Sequence, residues 1–331
     1  MNWKKYVKWT FGILLLLFFI RIFGVQIEKV RDYSMSSTIH PKDRVIIAKF
    51  RTGLRFPNSV LGLPGSDRSY IDAFRIPYFR FPALSKYKLG DVVALNDPRI
   101  IDKPTDRKPL LISRIAALPG DTLIVWNKNH YNNGDLISPP ETVRRIYRVV
   151  TEGQVIPQAF LEKFQLEIPV KIANVGIWDL YLDTLAYQEL SIQPFIKSIR
   201  STKMFAGATS SGYWPYSSFY SWNRDQMGPL IVPYKGQKVE ISLETIDLYK
   251  DLIEISEGNE VIIDFTGAIK INGLEKTEYS FKKNYYFVLD DNRDNPQDSR
   301  IIGFLPEDHL LGVVRRSLWS PFSKSFLSSV K

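Results

Sequence analysis

The residues of this chain that could carry chemistry are a serine near the N-terminus and a run of charged residues near the C-terminus. Ser34 lies shortly after an apolar segment. A serine hydroxyl is a poor nucleophile until a base accepts its proton, so Ser34 needs a partner to react. The C-terminal run comprises Asp291-Asn292-Arg293, Asp298-Ser299-Arg300 and Gly303-Phe304-Leu305-Pro306.

Two further motifs lie between Ser34-Met35 and this run. They are Gly90-Asp91-Val92-Val93 and Ser113-Arg114-Ile115-Ala116-Ala117-Leu118-Pro119-Gly120-Asp121. With these motifs in this order, the chain resembles bacterial signal peptidase I, the membrane-bound serine protease that removes signal peptides with a Ser-Lys dyad. It is most similar to the branch of that family with a long insertion before the last motif.

The resemblance implies a coiled β fold with a shallow cleft at the membrane surface, which accepts an extended substrate strand. Ser34 takes the place of the nucleophile, and Met35 takes the place of the residue that lines the cleft beside it.

Two ion pairs that brace the site in the family also have counterparts in this chain. Arg114 and Asp291 correspond to the first pair, and Asp298 and Arg300 correspond to the second.

The residue that should act as general base is missing. In the family, a lysine precedes the arginine at position 114, and this chain has Ser113 there. A serine hydroxyl is not basic near neutral pH, and losing one member of a catalytic set typically costs about four to six orders of magnitude in rate. We therefore predict that catalysis is severely impaired.

Other positions of the expected cleft also depart from the family. Pro296 replaces the serine that positions the lysine, Asp290 replaces a glycine, and Ser37 replaces a proline. Asp32 stands near the expected oxyanion hole, where many members have a small or hydroxyl residue. A carboxylate there would repel the developing negative charge of the transition state.

Another base could in principle rescue Ser34. The candidates are His40, His130, His309 or a lysine from the insertion, although lone histidines are more often packing or surface residues. Lys108 is too far along the chain from position 113 to replace the lysine simply.

Composition excludes several function classes. The chain has no cysteine, so it has neither a thiolate nucleophile nor a disulfide framework. Its three histidines are scattered without a His-Glu-x-x-His motif, so we expect no metal site, and nothing implies a cofactor. The net charge is +9, but no nucleic-acid-binding motif is recognisable. A solvated basic surface is the simpler interpretation of that charge, and attraction to anionic lipid head groups near the membrane anchor is the sharper one.

The N-terminus has the pattern of a membrane anchor. The segment from Trp9 to Val25 is nearly all apolar, interrupted by Arg21, and as a helix it would span roughly 26 Å. Lysines precede it at positions 4, 5 and 8, which predicts a cytoplasmic N-terminus and an extracytoplasmic main domain. A cleaved signal peptide is the alternative, but bulky and charged residues follow the segment instead of a small-x-small site.

The rest of the chain is predicted to be mainly β, as a signal-peptidase-like coiled sheet with an inserted α+β subdomain. Strand-like runs include 44–48, 92–95, 121–126, 238–243 and 285–289, and helical patterns cover 157–164 and 245–254, the latter behind a possible Thr245 cap. The predicted divisions are a cytoplasmic N-terminus (1–8), a transmembrane helix (9–25), the core's first part (26–124), the insertion (125–275) and the core's second part (276–331).

Two functions remain open on this evidence. The first is a catalytically impaired signal-peptidase-like protein in the inner membrane, whose periplasmic cleft binds an extended peptide or a partner, such as a secretion or envelope complex. The second is an active signal peptidase with an unusual base. Binding without cleavage is physically reasonable, because a strand-accepting edge binds peptide through main-chain hydrogen bonds.

Overall fold

An eight-stranded antiparallel sheet holds together the parts of the chain that carry the motifs. We describe it from a computed structural model, which covers residues 3–19, 24–56, 58–59, 77–166, 168–173, 176–208, 212–321 and 323–330. The strand order is β1-β2-β20-β3-β4-β18-β19, and β21 pairs with β20. The strands are β1 (Val25–Lys29), β2 (Arg44–Ala48), β3 (Val92–Asn96), β4 (Leu110–Ala117), β18 (Tyr285–Leu289), β19 (Leu305–Pro306), β20 (Leu310–Ser320) and β21 (Ser325–Ser329).

Residues 92–95 of the central strand β3 are all apolar because both faces of the strand are buried. Val92 and Ala94 pack into one buried cluster, whereas Val93 and Leu95 pack into another. Since successive side chains of a strand point to opposite faces, both faces of the sheet are covered at β3. Register shifts between β2 and β20, between β20 and β3, and between β18 and β4 bend the sheet.

Two smaller sheets follow β4 in the chain. The first has the order β12-β5-β6-β7, and the second has the order β11-β8-β10-β9 with two helices packed in its core cluster. The elements are β5 (Thr122–Trp126), β6 (Asn129–Asn132), β7 (Asp135–Ile137), β8 (Arg145–Thr151), α2 (Gln158–Phe164), β9 (Val170–Ala173), β10 (Ile177–Leu182), α3 (Thr184–Ser191), β11 (Ile196–Ser201) and β12 (Gln226–Ile231).

The chain then forms a small region of short elements before it returns to the large sheet. A two-stranded and a three-stranded sheet flank a helix that ends in a π-helical turn, Leu252–Ser256. The elements are β13 (Lys238–Glu240), α4 (Ile246–Asp251), β14 (Val261–Ile263), β15 (Ile269–Ile271), β16 (Leu274–Glu275), β17 (Glu278–Ser280) and, later, α5 (Ser299–Ile302).

The predicted β character is therefore confirmed, and two local expectations need correction. Thr245 does not cap α4, because its Oγ1 donates to Glu240 O and accepts from Ser242 N. The strand predicted for 238–243 ends at Glu240. The boundaries of the predicted inserted subdomain, 125–275, stay a prediction.

The N-terminal helix α1 (Trp3–Phe19) begins six residues before the predicted transmembrane segment 9–25, and Val25, the predicted end of that segment, belongs to β1, where it pairs with Ala48. Residues 20–23, including Arg21, lie outside the described part of the chain. Among the residues that the structure describes, no helix is both long and apolar enough to cross a membrane.

Candidate active site and its relatives

Ser34 begins the turn that follows β1, and its side chain is buried. Its Oγ donates a hydrogen bond of 2.8 Å to Asp32 Oδ1, and its backbone N–H donates to the same oxygen at 3.2 Å. Burial raises the pKa of Asp32, while these two hydrogen bonds oppose that rise. One carboxyl group therefore engages both the hydroxyl and the amide of the serine.

The turn brings Ser34 to strand β4, beside Ser113. The Ser34 Oγ lies 3.4 Å from Ile112 O, the carbonyl that precedes Ser113 in the chain. Ser113 is buried in register with Val93, and its Oγ makes no hydrogen bond with the described residues. The fold thus places the predicted nucleophile, Ser34, next to the predicted base position, which holds Ser113 instead of a lysine.

One edge of β4 has no strand partner beside Ser34 in the described part of the chain. Asp97 N donates to Pro109 O and Ile115 N donates to Asp91 O, so β3 bonds the odd-numbered residues of β4. The backbone groups of Leu110 and Ile112 therefore face the other way, where β18 pairs only from Arg114 onward. We call this stretch, Leu110 to Ser113, the open edge of β4.

Asp290 follows β18 and is almost fully buried. Its Oδ2 accepts from Gln297 N at 2.7 Å, and its own N–H donates to Asp298 Oδ2 at 2.8 Å. Burial, and then the neighbouring Asp298 carboxylate, raise the pKa of Asp290 well above its ordinary value. The neighbouring Ser113 hydroxyl and the hydrogen bond from Gln297 N oppose this rise only partly.

Arg114 and Asp291 form a bidentate ion pair below Ser34. The guanidinium Nε and Nη2 lie 2.8 and 2.6 Å from the two carboxylate oxygens, and both side chains are buried. Thr38 Oγ1 also donates to Asp291 Oδ2 at 2.5 Å, and Asp291 N–H points at Met35 Sδ at 3.2 Å. The pair thereby ties β4, the Ser34 turn and the end of β18 together.

Asp298 and Arg300 form a second bidentate pair, with distances of 3.0 and 2.7 Å. Asp298 also caps α5 by accepting from Arg300 N. The interactions with Asp298 raise the pKa of Arg300 despite burial, which by itself lowers it. The buried Pro296 lies in the loop between Asp290 and this pair and has no N–H to donate.

A third buried pair gave no signal in the sequence. Lys128 Nζ lies 2.7 Å from Asp294 Oδ1, and Asp294 Oδ2 accepts from Ile146 N at 2.6 Å. Arg224 Nε lies 3.3 Å from the same Asp294 Oδ1. Asp294 directly follows the Asp-Asn-Arg motif, which could have indicated its importance, but nothing near Lys128 or Arg224 in the sequence indicates a partner.

The loop of the Asp-Asn-Arg motif is held between Ser34 and the segment that leads into β8. Asn292 N donates to Ser34 O at 2.9 Å, Arg144 N donates to Asp291 O at 2.9 Å, and Arg293 N donates to Arg144 O at 3.1 Å. The site is therefore built from both halves of the large sheet and from the segment between them.

Comparison with known proteins identifies the family of this chain. A family model described as signal peptidase, peptidase S26, matches residues 3–170 and 231–319, which is most of the chain. The chain belongs to the S26 signal peptidase family.

Two curated relatives of this family member are both named signal peptidase I. The protein of Buchnera aphidicola subsp. Schizaphis graminum is 40% identical over 89 residues, which cover 27% of this chain and 26% of the relative. The protein of Buchnera aphidicola subsp. Baizongia pistaciae is 23% identical over 307 residues, which cover 92% of this chain and 73% of the relative.

The histidines of this signal peptidase family member make their described contacts away from Ser34. His40 N donates to Asp43 Oδ2, and burial is the main cause that lowers the pKa of His40. Burial also lowers the pKa of His130 to about 4. His309 lies between Asp308 and Lys108, at 3.0 and 3.1 Å. Lys108 lies four residues before Ile112, which is roughly 13 Å along an extended chain. The Lys108 amine therefore contacts His309 and not Ser34.

The site has donors suited to main-chain and ionic contacts but not to a metal. In the described ranges, no group of three or more His, Cys, Asp or Glu residues is placed to hold a metal ion. The partners of Ser34 Oγ there are a carboxyl oxygen and a backbone carbonyl.

Proposed function

We propose that this family member binds extended peptide at the open edge of β4 without hydrolysing it efficiently. The observation that carries the proposal is that Asp32 Oδ1 accepts hydrogen bonds from both the N–H and the Oγ of Ser34. Ser113 stands beside them where the family has its lysine base.

The first support is the lack of an amine base. In a Ser-Lys dyad, a neutral amine takes the serine proton, and the Ser113 hydroxyl has no comparable basicity. The neighbouring Asp290 does not take its place, because its described hydrogen bonds are with Gln297 and Asp298 and not with Ser34.

The second support is the location of the Asp32 charge. An acyl-transfer transition state needs hydrogen-bond donors aimed at the developing oxyanion, and the Ser34 N–H already donates to a carboxyl group. If the Asp32 carboxylate lay about 4 Å from the oxyanion, repulsion would cost roughly 4 kcal/mol at an effective dielectric near 20, or about a thousandfold in rate.

The third support concerns the ligand. The backbone groups of Leu110 and Ile112 face away from β3 in the manner of an edge strand, and an extended peptide can pair with them. Because main-chain pairing requires neither the Ser34 hydroxyl nor a base, a cleft of this kind can bind peptide after catalysis is lost.

The membrane is the second partner that we propose, with the apolar segment before β1 as a single-pass anchor in the inner membrane and the main domain outside. Lys29, Arg44, Trp319 and Phe326 form one cross-strand row on neighbouring strands of the large sheet. Its two cations are exposed, and its two aromatic rings are partly or largely exposed. Such a row suits a surface of anionic lipid head groups.

A second candidate function, an active peptidase with a carboxylate base, is favoured by one observation. Asp32 Oδ1 is within hydrogen-bond distance of Ser34 Oγ, and the raised pKa of Asp32 makes it a stronger base than an ordinary carboxylate. The same carboxyl group would oppose the oxyanion, and we therefore prefer the binding function.

The decisive experiment uses the purified full chain with a fluorescent signal-peptide substrate and two readouts, cleavage and fluorescence anisotropy. We expect anisotropy to report binding, Ser34→Ala to bind equally, and no cleavage above background in either protein. Cleavage that is abolished by both Ser34→Ala and Asp32→Asn would establish the carboxylate base instead. Absence of both binding and cleavage would exclude both functions.

A further inference from the structure

The region between β13 and β17 has the opposite charge to the rest of the chain. Residues 240–278 contain ten acidic and three basic side chains, a net charge of −7, whereas the whole chain carries +9. We call this region the acidic lobe. It includes α4, the π-helical turn and strands β14 to β16.

Half of the ten acidic side chains are exposed and have no ion pair with the described residues. They are Glu240, Glu244, Asp251, Glu260 and Glu275. Unpaired charges of one sign on one surface attract partners of the opposite sign.

The tip of the β14–β15 hairpin presents a fully exposed aromatic side chain, Phe265. The turn around it is well defined, because Asp264 Oδ1 accepts from Thr266 N, Thr266 Oγ1 and Ala268 N at 3.0, 2.6 and 3.1 Å. Lys270 Nζ lies 3.1 Å from Asp264 Oδ2. The ring is thus held away from the core by a turn whose polar groups are bonded.

Further apolar surface adjoins this tip. Leu243 is 46% exposed, and a Cβ built on Gly267 would lie 3.2 Å from Leu243 Cδ1, so Leu243 packs against the turn. Ile263, two residues before Phe265, is 41% exposed. Phe265 is thus an exposed aromatic side chain, surrounded by apolar surface, on a turn that hydrogen bonds hold in place. Such residues often anchor protein interfaces, because an aromatic side chain loses little conformational entropy when it binds.

We propose that Phe265 anchors a partner protein whose surface has an apolar pocket bordered by lysine or arginine side chains. The carboxylates of the acidic lobe would meet those cations, which fixes the charge of the partner. Anionic lipid would be repelled by the same carboxylates, so a membrane is the poorer occupant. A second copy of this chain is also poorer, because such a contact would join different surfaces and would not close on itself.

Site-specific photo-crosslinking in cells that contain the full chain tests this inference. p-Benzoylphenylalanine replaces Phe265 in one protein and Phe205 in the matched control. Phe205 is 83% exposed, follows Arg200 and Lys203 closely in the sequence, and lies outside the acidic lobe. We expect an adduct with a basic protein from position 265 and none with that protein from position 205.

Charge reversal distinguishes a charge-dependent partner from non-specific hydrophobic crosslinking at Phe265. Glu244→Lys with Glu275→Lys, combined with the crosslinker at 265, should reduce the adduct by about tenfold, while the melting temperature of the protein stays unchanged. An adduct that survives charge reversal, contains an acidic protein or contains only a second copy would overturn the proposal. So would the absence of an adduct, or binding of the purified protein to phosphatidylglycerol vesicles that Phe265→Ser abolishes. None of these results depends on the cleft or on peptide cleavage.

Discussion

Lys108 Nζ lies 3.1 Å from His309 Nε2, inside a buried chain of charged groups. On the other side of the ring, His309 Nδ1 lies 3.0 Å from Asp308 Oδ1, and Asp308 Oδ2 accepts from Lys283 Nζ at 2.7 Å. Arg55 Nη1 donates to the backbone oxygen of Asp308 at 2.8 Å. This arrangement suits a neutral imidazole that donates to Asp308 and accepts from Lys108.

Acidification should weaken the fold through His309. Burial lowers the pKa of His309, and the nearby cations Lys108 and Arg55 lower it further against the opposing effect of Asp308. The unfolded chain therefore binds the proton at a higher pH than the folded chain. The stabilisation is complete above the ordinary histidine pKa of about 6.5 and is lost as the pH falls from there toward the lower folded pKa.

We expect His309→Gln to flatten the pH dependence of the free energy of unfolding below about pH 6.5 by up to about 1.4 kcal/mol per pH unit. Urea unfolding at several pH values measures this slope. The pKa values of His40 and His130 are also lowered, so the same reasoning predicts that His130→Gln flattens another part of the slope. An unchanged slope in His309→Gln would show that this residue does not titrate on unfolding.

The Arg114–Asp291 pair should contribute more to stability than the serine above it. Removing one partner leaves a buried charge uncompensated, so Arg114→Ala or Asp291→Ala should cost about 3 to 5 kcal/mol. Ser34→Ala loses one hydroxyl hydrogen bond, on the order of 1 kcal/mol. Chemical denaturation compares the three variants, and equal midpoints would refute the bracing role of the pair.

Restoring the family lysine alone should recover little peptidase activity. In Ser113→Lys, the Asp290 carboxyl would favour a protonated ammonium by charge attraction, and Pro296 offers no hydroxyl to position it. The joint change Ser113→Lys, Asp290→Gly and Pro296→Ser, with Asp32→Ser to free the Ser34 N–H, is the combination with a physical route to activity. Cleavage of a signal-peptide substrate is the measurement, and strong activity in Ser113→Lys alone would contradict this reasoning.

Gly303 should tolerate substitution less well than another glycine with a positive φ. Its φ is +76°, and an added Cβ would lie 2.8 Å from Trp214 Nε1. Gly134 has a φ of +90° with open space around it. Both alanine variants carry backbone strain of about 1 to 3 kcal/mol, and the ψ of −156° at Gly303 lies in a region that residues other than glycine rarely adopt. Gly303→Ala adds about 1 to 3 kcal/mol of overlap. Similar melting temperatures for the two variants would mean that Trp214 moves aside freely.

The predicted topology can be tested by proteolysis. Protease added to spheroplasts should digest the domain after Val25, while the segment with Lys4, Lys5 and Lys8 stays protected, because cytoplasmic flanks carry the positive charges. A soluble chain that starts near Gln26 would show instead that the apolar segment is removed.

Local patterns predicted the regular parts of the fold. The apolar runs at β2, β3 and β18 form strands. Asn-Gly pairs in the sequence are typical of hairpin turns, and Asn133-Gly134 and Asn272-Gly273 form such turns with positive φ at both residues. Helix α3 was not predicted, although Asp183 is a typical N-cap residue. In the structure its side chain caps the helix by accepting from Ala186 N. Threonine is a common cap residue, but the Thr245 hydroxyl forms hydrogen bonds with Glu240 and Ser242 instead of capping α4.

The site was predictable only as far as the motifs reached. They indicated that Arg114 belongs with Asp291, and the structure places these side chains together. They could not indicate that Lys128 pairs with Asp294, since 166 residues separate the two positions and neither has a local pattern that requires the other. Nor could they show that Asp32 bonds the Ser34 amide, because that depends on the backbone of one turn.

The open edge of β4 has a kinetic consequence for a protein that does not cut its ligand. An enzyme empties its cleft by breaking the bound strand into two weakly held pieces. A strand that pairs with Leu110 and Ile112 and stays whole can leave only by dissociation. Its dwell time then depends on how many main-chain bonds must break together, so longer extended segments should be retained for longer than short ones.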